Sequence, residues 1–433
     1  MKKEFIAIGS LIWLATANAQ KQSAPMLDEP EKSPMELLEE RTGNLEEKVG
    51  RLGQFKLSGY IQAQYQYSQE KGSTKVGNST NEKSGTEDDG DGYGRFGVRR
   101  GRLKVAYAKG LTIAVFEMDI NEKGIATKNA YFNVRDPWTK ASSIQVGVFD
   151  RPFGYELGYS SSTRESPEYS TVCTKLFPDE KDLGAVLTLA PKKESLLNFL
   201  KLQTGAFAGN GLKQESNSRP DFIGKLSAKK NIGSNGEWEL GFSYYNGGVY
   251  QGTKNIYEMD NVVFAVDSSD SNLGGYAKRQ YFGVDGALNI ASRAGMTKLM
   301  AEVVFGQQPG SASSSMSPNN NSNAKTDTYI RNFNGWYVML VHELGRSPFS
   351  VVAKFDSYDP NTKIDGNQVG LNNTNKTDLS QNTFGLGLIW RAMSNLKLTA
   401  YYEWNNNERS QIVSGYEDNV KDNLFTLRAQ YKF

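Results

Sequence analysis

Side chains alternate between apolar and polar along almost every extended segment after residue 55, and this two-residue period constrains the fold more than any other feature. The chain ends in LRAQYKF, which places Leu427, Tyr431 and Phe433 on one face of a strand and Arg428 and Lys432 on the other. About sixteen such segments follow one another, an even number that suits a closed antiparallel barrel. We predict strands at about 55–69, 96–108, 111–120, 128–135, 143–149, 183–190, 200–208, 221–230, 237–246, 281–290, 297–306, 335–342, 349–358, 383–391, 395–405 and 422–433.

The connections between these strands alternate in length. Long polar connections fall near 70–95, 150–182, 247–280, 307–334, 359–382 and 406–421, with shorter members near 121–127 and 209–220. Compact turns such as Lys109-Gly110, RDPWTKAS and HELGRSP join the strands in between. Long loops at one end and short turns at the other are typical of an up-and-down barrel that crosses an outer membrane. A soluble β-sandwich has no reason to segregate its loops in this way.

Composition excludes several other classes of protein. Apart from the N-terminus, no segment approaches 18 consecutive apolar residues, and the mean hydropathy is −0.56, so a transmembrane helix is not expected. The 50 basic and 48 acidic residues give a net charge of +2, which provides no argument for a nucleic-acid partner. Cys173 is the single cysteine, so the chain is expected to fold without an intramolecular disulfide.

Three segments precede the predicted barrel of residues 55–433. Residues 1–19 have a basic start, a short apolar run and a small-residue ending, which is typical of a secretory signal peptide cleaved before Gln20. Residues 20–34 form a polar, proline-containing lead-in. Residues 35–53 carry a heptad pattern that predicts a short helix, either a lone amphipathic helix or a self-associating coiled coil. Its apolar positions are Met35, Leu38, Thr42, Leu45, Val49 and Leu52.

Several stretches resemble the phosphate-selective porin O and P family of outer-membrane channels. They are RRGRLKVAY from Arg99, FEMDI from Phe116, KNAYFNV from Lys128, VGVFDRPFGYE from Val146 and LFPDEKDLGA from Leu176. The resemblance implies a sixteen-stranded trimeric porin in the bacterial outer membrane. It also implies that the third long loop, here about residues 150–182, folds inward to narrow the pore, and that basic residues draw anions through it. A final Phe433 is similar to the C-terminal signal that the barrel-insertion machinery reads.

Strand parity predicts which charged side chains face the lumen. If Leu103 and Val105 face lipid, then Arg100, Arg102 and Lys104 form a lumenal ladder with steps of about 7 Å. The opposite parity would cost about 2–4 kcal/mol for each cation near the bilayer midplane. Salt bridges between neighbouring strands are the alternative role for any one of these residues. The predicted pore-lining residues are Lys56, Arg100, Arg102, Lys104, Glu117, Asp119, Arg135, Arg151, Lys354, Lys397 and Arg428, with Lys225, Lys298, Arg391, Glu302, Asp356 and Glu403 on the same side of the wall.

The predicted constriction loop itself is acidic. Between Asp150 and Asp182 it carries four basic residues, Arg151, Arg164, Lys175 and Lys181, and seven acidic ones, Asp150, Glu156, Glu165, Glu168, Asp179, Glu180 and Asp182. A phosphate pore requires a surplus of positive charge at its narrowest point, because a low-dielectric passage magnifies each charge. The wall supplies that surplus better than the loop, so we expect a net but modest anion preference.

The sequence gives little indication of a catalytic site or a metal site. His342, the sole histidine, lies beside a predicted short turn, where a Ser-His-Asp or other histidine-based hydrolase site is not expected. The acidic run from Thr86 to Gly92 misses the EF-hand spacing, and a solvated loop is the preferred interpretation over a calcium site. We therefore expect no metal, no cofactor and no enzymatic activity.

Two functions from different classes remain open on the sequence. The first is an outer-membrane diffusion channel for small polar solutes, with some preference for anions such as phosphate. The second is a barrel that serves mainly as a binding or structural scaffold through its long external loops. Expected partners are the solutes, outer-membrane lipid, the insertion machinery and two further copies of the chain in a homotrimer.

Overall fold

A computed structural model of the chain describes residues 41–42, 50, 53–69, 93–215, 217–318 and 325–433. Residues 1–53 form a unit separate from residues 54–433, and Arg41, Thr42 and Gly50 are helical within it. The predicted signal peptide, the lead-in, the acidic run near Asp88 and all the apolar heptad positions except Thr42 lie outside the described residues. Among the residues that the structure describes, no helix is long and apolar enough to cross a membrane.

Strands dominate the second unit. The strands are β1 (Phe55–Ser68), β2 (Tyr93–Lys109), β3 (Thr112–Asn121), β4 (Gly124–Arg135), β5 (Ser142–Asp150), β6 (Lys181–Leu189), β7 (Leu200–Phe207), β8 (Asp221–Ile232), β9 (Gly236–Tyr250), β10 (Ile256–Asp260), β11 (Val263–Asp267), β12 (Tyr276–Ser292), β13 (Gly295–Gly310), β14 (Thr328–Glu343), β15 (Phe349–Asp359), β16 (Gln381–Arg391), β17 (Leu396–Asn407) and β18 (Leu424–Lys432). One short helix, α1 (Thr171–Leu176), lies between β5 and β6, and three-residue 3₁₀ helices lie at Asp270–Asn272, Gly366–Gln368 and Lys376–Asp378.

Sixteen of these strands form a closed antiparallel barrel, which confirms the predicted fold class. Each strand pairs with the next along the chain, β9 pairs with β12 across the β10–β11 hairpin, and β18 pairs with β1 to close the wall. Closure leaves no edge strand in the wall, because each wall strand pairs with two neighbours. The sixteen strands correspond to the sixteen segments predicted from the sequence alternation, although β2, β4, β12 and β14 begin three to seven residues earlier.

The two ends of the barrel differ, as the connection lengths predict. We call them the loop end, which carries residues 151–180 and the other long connections, and the turn end. Two connections depart from the pattern: β3 and β4 are joined at the loop end by residues 122–123 alone, and residues 190–199 form a longer connection at the turn end.

The β10–β11 hairpin was not predicted. It lies within the connection between β9 and β12, and β10 runs parallel to the start of β14, with Ile256 opposite Thr328. Tyr257 stacks on Tyr329 with ring centroids 4.4 Å apart, and Phe264 packs edge-on against the same ring. A short hairpin inside a polar loop lacks the length and the flanking pattern that identify wall strands.

Side-chain parity follows the prediction, but the interior is less polar than expected. On β18 the outward Leu427 and Tyr431 are exposed, and the inward Thr426 and Arg428 are buried. One side of the interior is nevertheless apolar. Its inward side chains form a cluster of Phe149, Val186, Phe207, Ile223, Tyr245, Tyr281, Val304, Phe333 and Tyr358. This side of the interior is therefore not open to water, because the residues that follow β5 cover it.

Barrel closure places the chain terminus against Gly59. The backbone N–H of Gly59 donates to the Phe433 carbonyl at 2.9 Å, and the Phe433 N–H donates back at 3.0 Å. A Cβ atom at Gly59 would overlap the Arg102 carbonyl oxygen and the Phe433 ring. The first strand therefore requires glycine at the seam.

We predict that Gly59→Val lowers the unfolding temperature of the barrel, because overpacking of this kind costs about 1–3 kcal/mol. The measurement is the temperature at which the folded band converts to the unfolded band in a semi-native gel. Ala63→Val is the matched control, since Ala63 lies on the same strand and is exposed. Equal unfolding temperatures for the two variants would contradict the conclusion that the first strand requires glycine at position 59.

Candidate pore and its constriction

Residues 151–180, which we call the inward loop, fold into the barrel interior. Phe153, Leu157, Val172, Leu176 and Phe177 of this loop pack into the apolar cluster of the wall. The Phe177 ring lies 5.8 Å from that of Tyr281 and 6.2 Å from that of Tyr245, both edge-on. Burial of these aromatic groups holds the loop against one side of the barrel.

Backbone groups at the start of the inward loop are held by polar wall residues. The Glu302 carboxylate accepts hydrogen bonds from the N–H groups of Tyr155 and Glu156, each at 3.0 Å. The Ser243 hydroxyl accepts from Gly154 N–H at 3.0 Å, and the Lys225 ammonium donates to the Gly154 carbonyl. Because a buried backbone group costs free energy when it has no partner, these contacts fix the path of the loop.

Glu168 joins the loop to three arginines of the wall. Its carboxylate pairs with Arg99 at 2.8 Å, with Arg100 at 3.1 Å and with Arg428 at 2.6 Å. The pKa of Glu168 is well below its usual range: burial acts to raise it, but the three guanidinium groups outweigh burial. The folding contribution of this carboxylate is therefore present at neutral pH and is lost only as the pH falls through the lowered pKa.

A β-bulge brings Arg99 to this site. The register of β2 against β1 shifts so that Arg100 lies opposite Gln62 and Val98 opposite Ala63, which leaves Arg99 as the extra residue. Arg99 and Arg100 can then both reach Glu168, although strict alternation would place them on opposite faces. A second bulge, in the pairing of β3 with β4, leaves Lys128 as the extra residue between Thr127 and Asn129. Strict parity misses both residues.

The predicted lumenal cations mostly hold the inward loop. Lys354 pairs with Glu156 at 2.6 Å, and Lys298 pairs with Glu165 at 3.0 Å. Lys397 donates to the Arg164 carbonyl at 3.0 Å. The acidic surplus of the loop, which argued against anion attraction, is therefore matched by cations of the wall.

Two of the three cations of the predicted β2 ladder are engaged in ion pairs. Arg102 pairs with Glu117 at 2.8 Å and with Asp119 at 3.3 Å, and Glu117 accepts a further bond from Asn129. Arg100 is committed to Glu168, so Lys104 alone of the three makes no ion pair with any described residue. The cross-strand salt bridges that the sequence left as an alternative are the observed arrangement for Arg102.

The remaining predicted residues fall into two groups. Arg151 pairs with Asp182 at 3.1 Å at the base of the loop, where both side chains are buried. Lys56 and Arg135 are exposed near the turn end, and neither forms an ion pair within the described part of the chain. Lys56 and Arg135 therefore lie at a different level of the wall from Glu168 and its three arginines.

Three cavities lie along the barrel interior. The outer cavity, about 370 Å³, is lined by strand residues at the loop end, such as Gln381 and Asn407. The middle cavity, about 340 Å³, is lined by Lys104 and Glu117 of the wall. The inner cavity, about 720 Å³, is lined by Lys201 and by residues of the 190–199 connection.

Neighbouring cavities share lining residues, and this locates the narrow points. Tyr169 and Glu180 line both the outer and the middle cavity, so these residues lie between the two. Asp150, Tyr159 and Gln203 line both the middle and the inner cavity. We call the Tyr169–Glu180 boundary the constriction.

Glu180 has an unusual environment at the constriction. Its carboxylate makes no ion pair with a described residue, yet it lies in the field of Lys128, Arg100 and Arg164. Burial acts to raise its pKa, and those cations lower it to about 2. Glu180 therefore carries a negative charge throughout the ordinary pH range. Its backbone φ is +64°, a left-handed conformation that non-glycine residues rarely adopt.

No catalytic arrangement accompanies His342. The imidazole Nδ1 lies 2.9 Å from the Thr297 hydroxyl, at the turn end of β14. Within the described residues, no group of three or more histidine, cysteine, aspartate or glutamate side chains is placed to hold a metal ion. Cys173 is a free thiol, buried in α1.

We predict that Glu168→Gln destabilises the folded barrel by about 3 kcal/mol, because removing one member of a buried charge cluster leaves its partners uncompensated. The measurement is the unfolding temperature in detergent. Glu122→Gln is the control, since the pair of Glu122 with Arg95 is partly exposed and contributes at most about 1 kcal/mol. Equal effects of the two substitutions would refute the role of Glu168.

Comparison with known proteins identifies the fold. No protein-family model and no curated protein sequence matches this chain. Among solved structures, OprB of Pseudomonas putida matches with a TM-score of 0.58 and 11% identity, covering 91% of this chain and 97% of that one. OmpF of Salmonella typhi, in complex with daunomycin, matches with a TM-score of 0.55 and 11% identity over 88% and 97% of the two chains. The trimer form of OmpT, an outer-membrane protein of Vibrio cholerae, has a TM-score of 0.50 and 9% identity over 88% and 99%. The barrel architecture is therefore shared with these proteins.

Proposed function

We propose that the protein is a diffusion channel of the bacterial outer membrane for small polar solutes. The observation that carries the proposal is the succession of outer, middle and inner cavities, which share lining residues from the loop end to the turn end. The passage narrows between Tyr169 and Glu180. Stable conductance steps in a planar bilayer test the proposal, and a protein that folds but never conducts would instead be a scaffold.

Charge along this passage favours anions modestly. The three cavities together are lined by nine basic and six acidic residues. Three of the acidic groups, Glu117, Asp150 and Glu168, pair with basic residues. Lys104, Lys175 and Lys201 make no ion pair with a described residue. Phosphate-like anions are therefore suitable solutes, and neutral polar solutes of similar size are expected to pass as well.

The outer face of the barrel suits a membrane. Large apolar side chains such as Leu57, Phe116 and Leu240 are more than half exposed on it. Aromatic pairs lie near both ends, with Phe349–Trp390 at the turn end and Phe384–Trp404 at the loop end. Such belts mark the two membrane interfaces of outer-membrane barrels. The long loops would then face the exterior and the turns the periplasm.

We propose a homotrimer as the assembled state. The barrel fold is the one found in the trimer form of the Vibrio cholerae OmpT protein. The heptad pattern of residues 35–53 suits a helix that reinforces such an assembly, with a lone helix as the alternative. Cleavage before Gln20 would produce the mature chain.

We predict that Glu180→Gln increases the anion-to-cation permeability ratio roughly fivefold, because one charge in a narrow passage contributes about 1 kcal/mol or more. The measurement is the reversal potential in a salt gradient. Glu194→Gln removes the same charge from an exposed position of the 190–199 connection and should leave the ratio unchanged. An unchanged ratio in a correctly folded Glu180→Gln channel would place selectivity elsewhere.

We also predict that deletion of Phe433 lowers the amount of folded barrel in the outer membrane. The deletion removes the two backbone hydrogen bonds to Gly59 together with the proposed recognition signal for insertion. Quantification of the heat-modifiable folded band in outer-membrane fractions measures the effect. Lys432→Gln, which keeps the terminal phenylalanine, is the control, and equal amounts of folded deletion and control proteins would contradict the prediction.

A further inference from the structure

A fourth cavity lies beside the outer one at the loop end. We call it the side pocket; it measures about 180 Å³ and is enclosed by the end of α1, a serine run in the connection before β14, and the connections before β16 and β18. Its polar lining residues are Lys175, Ser313, Ser314, Ser315, Tyr358, Lys376, Thr377, Gln381 and Tyr416. Lys175 and Gln381 line the outer cavity as well, so the two spaces adjoin.

The charge of the side pocket differs from that of the other cavities. Carboxylates line the outer, middle and inner cavities, whereas the described residues of the side pocket include two lysines and no acidic residue. Hydroxyl groups supply most of its other polar atoms. Ammonium and hydroxyl donors without competing carboxylates suit a small oxyanion.

Two groups of the side pocket lack the partners that their burial calls for. Burial lowers the pKa of Lys175, and no carboxylate opposes this effect. The Tyr358 hydroxyl is buried in the lining and lies near Ser315, but it makes no hydrogen bond of good geometry with any described residue. A bound oxyanion would compensate the Lys175 charge and accept a hydrogen bond from Tyr358.

We propose that the side pocket binds a small multivalent oxyanion from solution and holds it next to the outer cavity, as a capture site ahead of the constriction. The ligand comes from solution because the pocket adjoins the interior of the barrel through Lys175 and Gln381. The role as a capture site rests on the proposed channel function, whereas the binding itself does not.

Sulfate is the probe, since it remains a dianion across the ordinary pH range. Isothermal titration calorimetry of the folded protein in neutral detergent should detect sulfate binding, and Lys175→Gln with Lys376→Gln should weaken it about tenfold or more. Lys376 is exposed, so Lys376→Gln alone is not expected to disturb folding, and it should weaken sulfate binding severalfold. This single variant keeps the proposal testable if the double variant misfolds. Lys363→Gln with Lys421→Gln removes two exposed loop lysines outside the pocket and should leave the affinity unchanged.

Three results would overturn the proposal. They are the absence of sulfate binding to the unmodified protein, equal affinity in the pocket variant, and equal weakening by the control pair. A fourth concerns the source of the ligand: if lipid discs with phosphorylated headgroups abolish sulfate binding and neutral discs do not, a lipid occupies the pocket. Conductance in potassium chloride is measured on the same variants. An unmodified protein that binds sulfate but never conducts would refute the channel and not the pocket.

Discussion

Charge pairing between the inward loop and the barrel wall is the interaction on which the rest of the interior depends. The apolar cluster holds only one side of the loop, and on the other side Glu156, Glu165 and Glu168 reach basic residues of the wall. Buried ion pairs contribute little net stability compared with apolar contacts, but they specify geometry, because a misplaced loop would leave several charges buried and unpaired. The division of the interior into three cavities follows from that fixed position.

The same pairing limits what the proposed channel could select. A guanidinium that binds Glu168 or Glu117 attracts a solute anion only weakly, because the opposite charge about 3 Å away cancels most of its electrostatic field. The basic wall therefore serves mainly as a docking surface for an acidic loop. The proposed anion preference then depends on the few cations outside these pairs, such as Lys104 and Lys201, and Glu180 at the constriction would oppose it.

Much of the fold could be predicted from the sequence, because a barrel wall obeys one local rule. Alternation along a strand determines which side chains face outward, and loop lengths determine which strand ends lie together, so all sixteen wall strands were identified. The interior does not obey a local rule. Whether Tyr281 or Phe333 meets water depends on a loop more than 100 residues away in the sequence, and no pattern near those residues reports it.

The candidate site was predicted less well for a related reason. Parity identified Arg100, Arg102 and Arg428 as inward residues, but it could not say which carboxylate each would meet. It also missed Arg99 and Lys128, because a bulge shifts the face of a side chain without a sequence signature. The adjacent arginines in VRRGR indicate a bulge only after Glu168 is known to lie opposite them.

Glu180 brings these constraints together at the boundary between the outer and the middle cavity. A left-handed backbone at a residue with a Cβ atom costs about 1–2 kcal/mol, and glycine would avoid that cost. The loop instead places a carboxylate there, in the field of Lys128 and Arg100, without a direct ion pair to either. In the proposed channel, an anion between them would meet attraction from the wall and repulsion from the loop. Such opposition weakens binding at the constriction, and weak binding is what rapid passage requires.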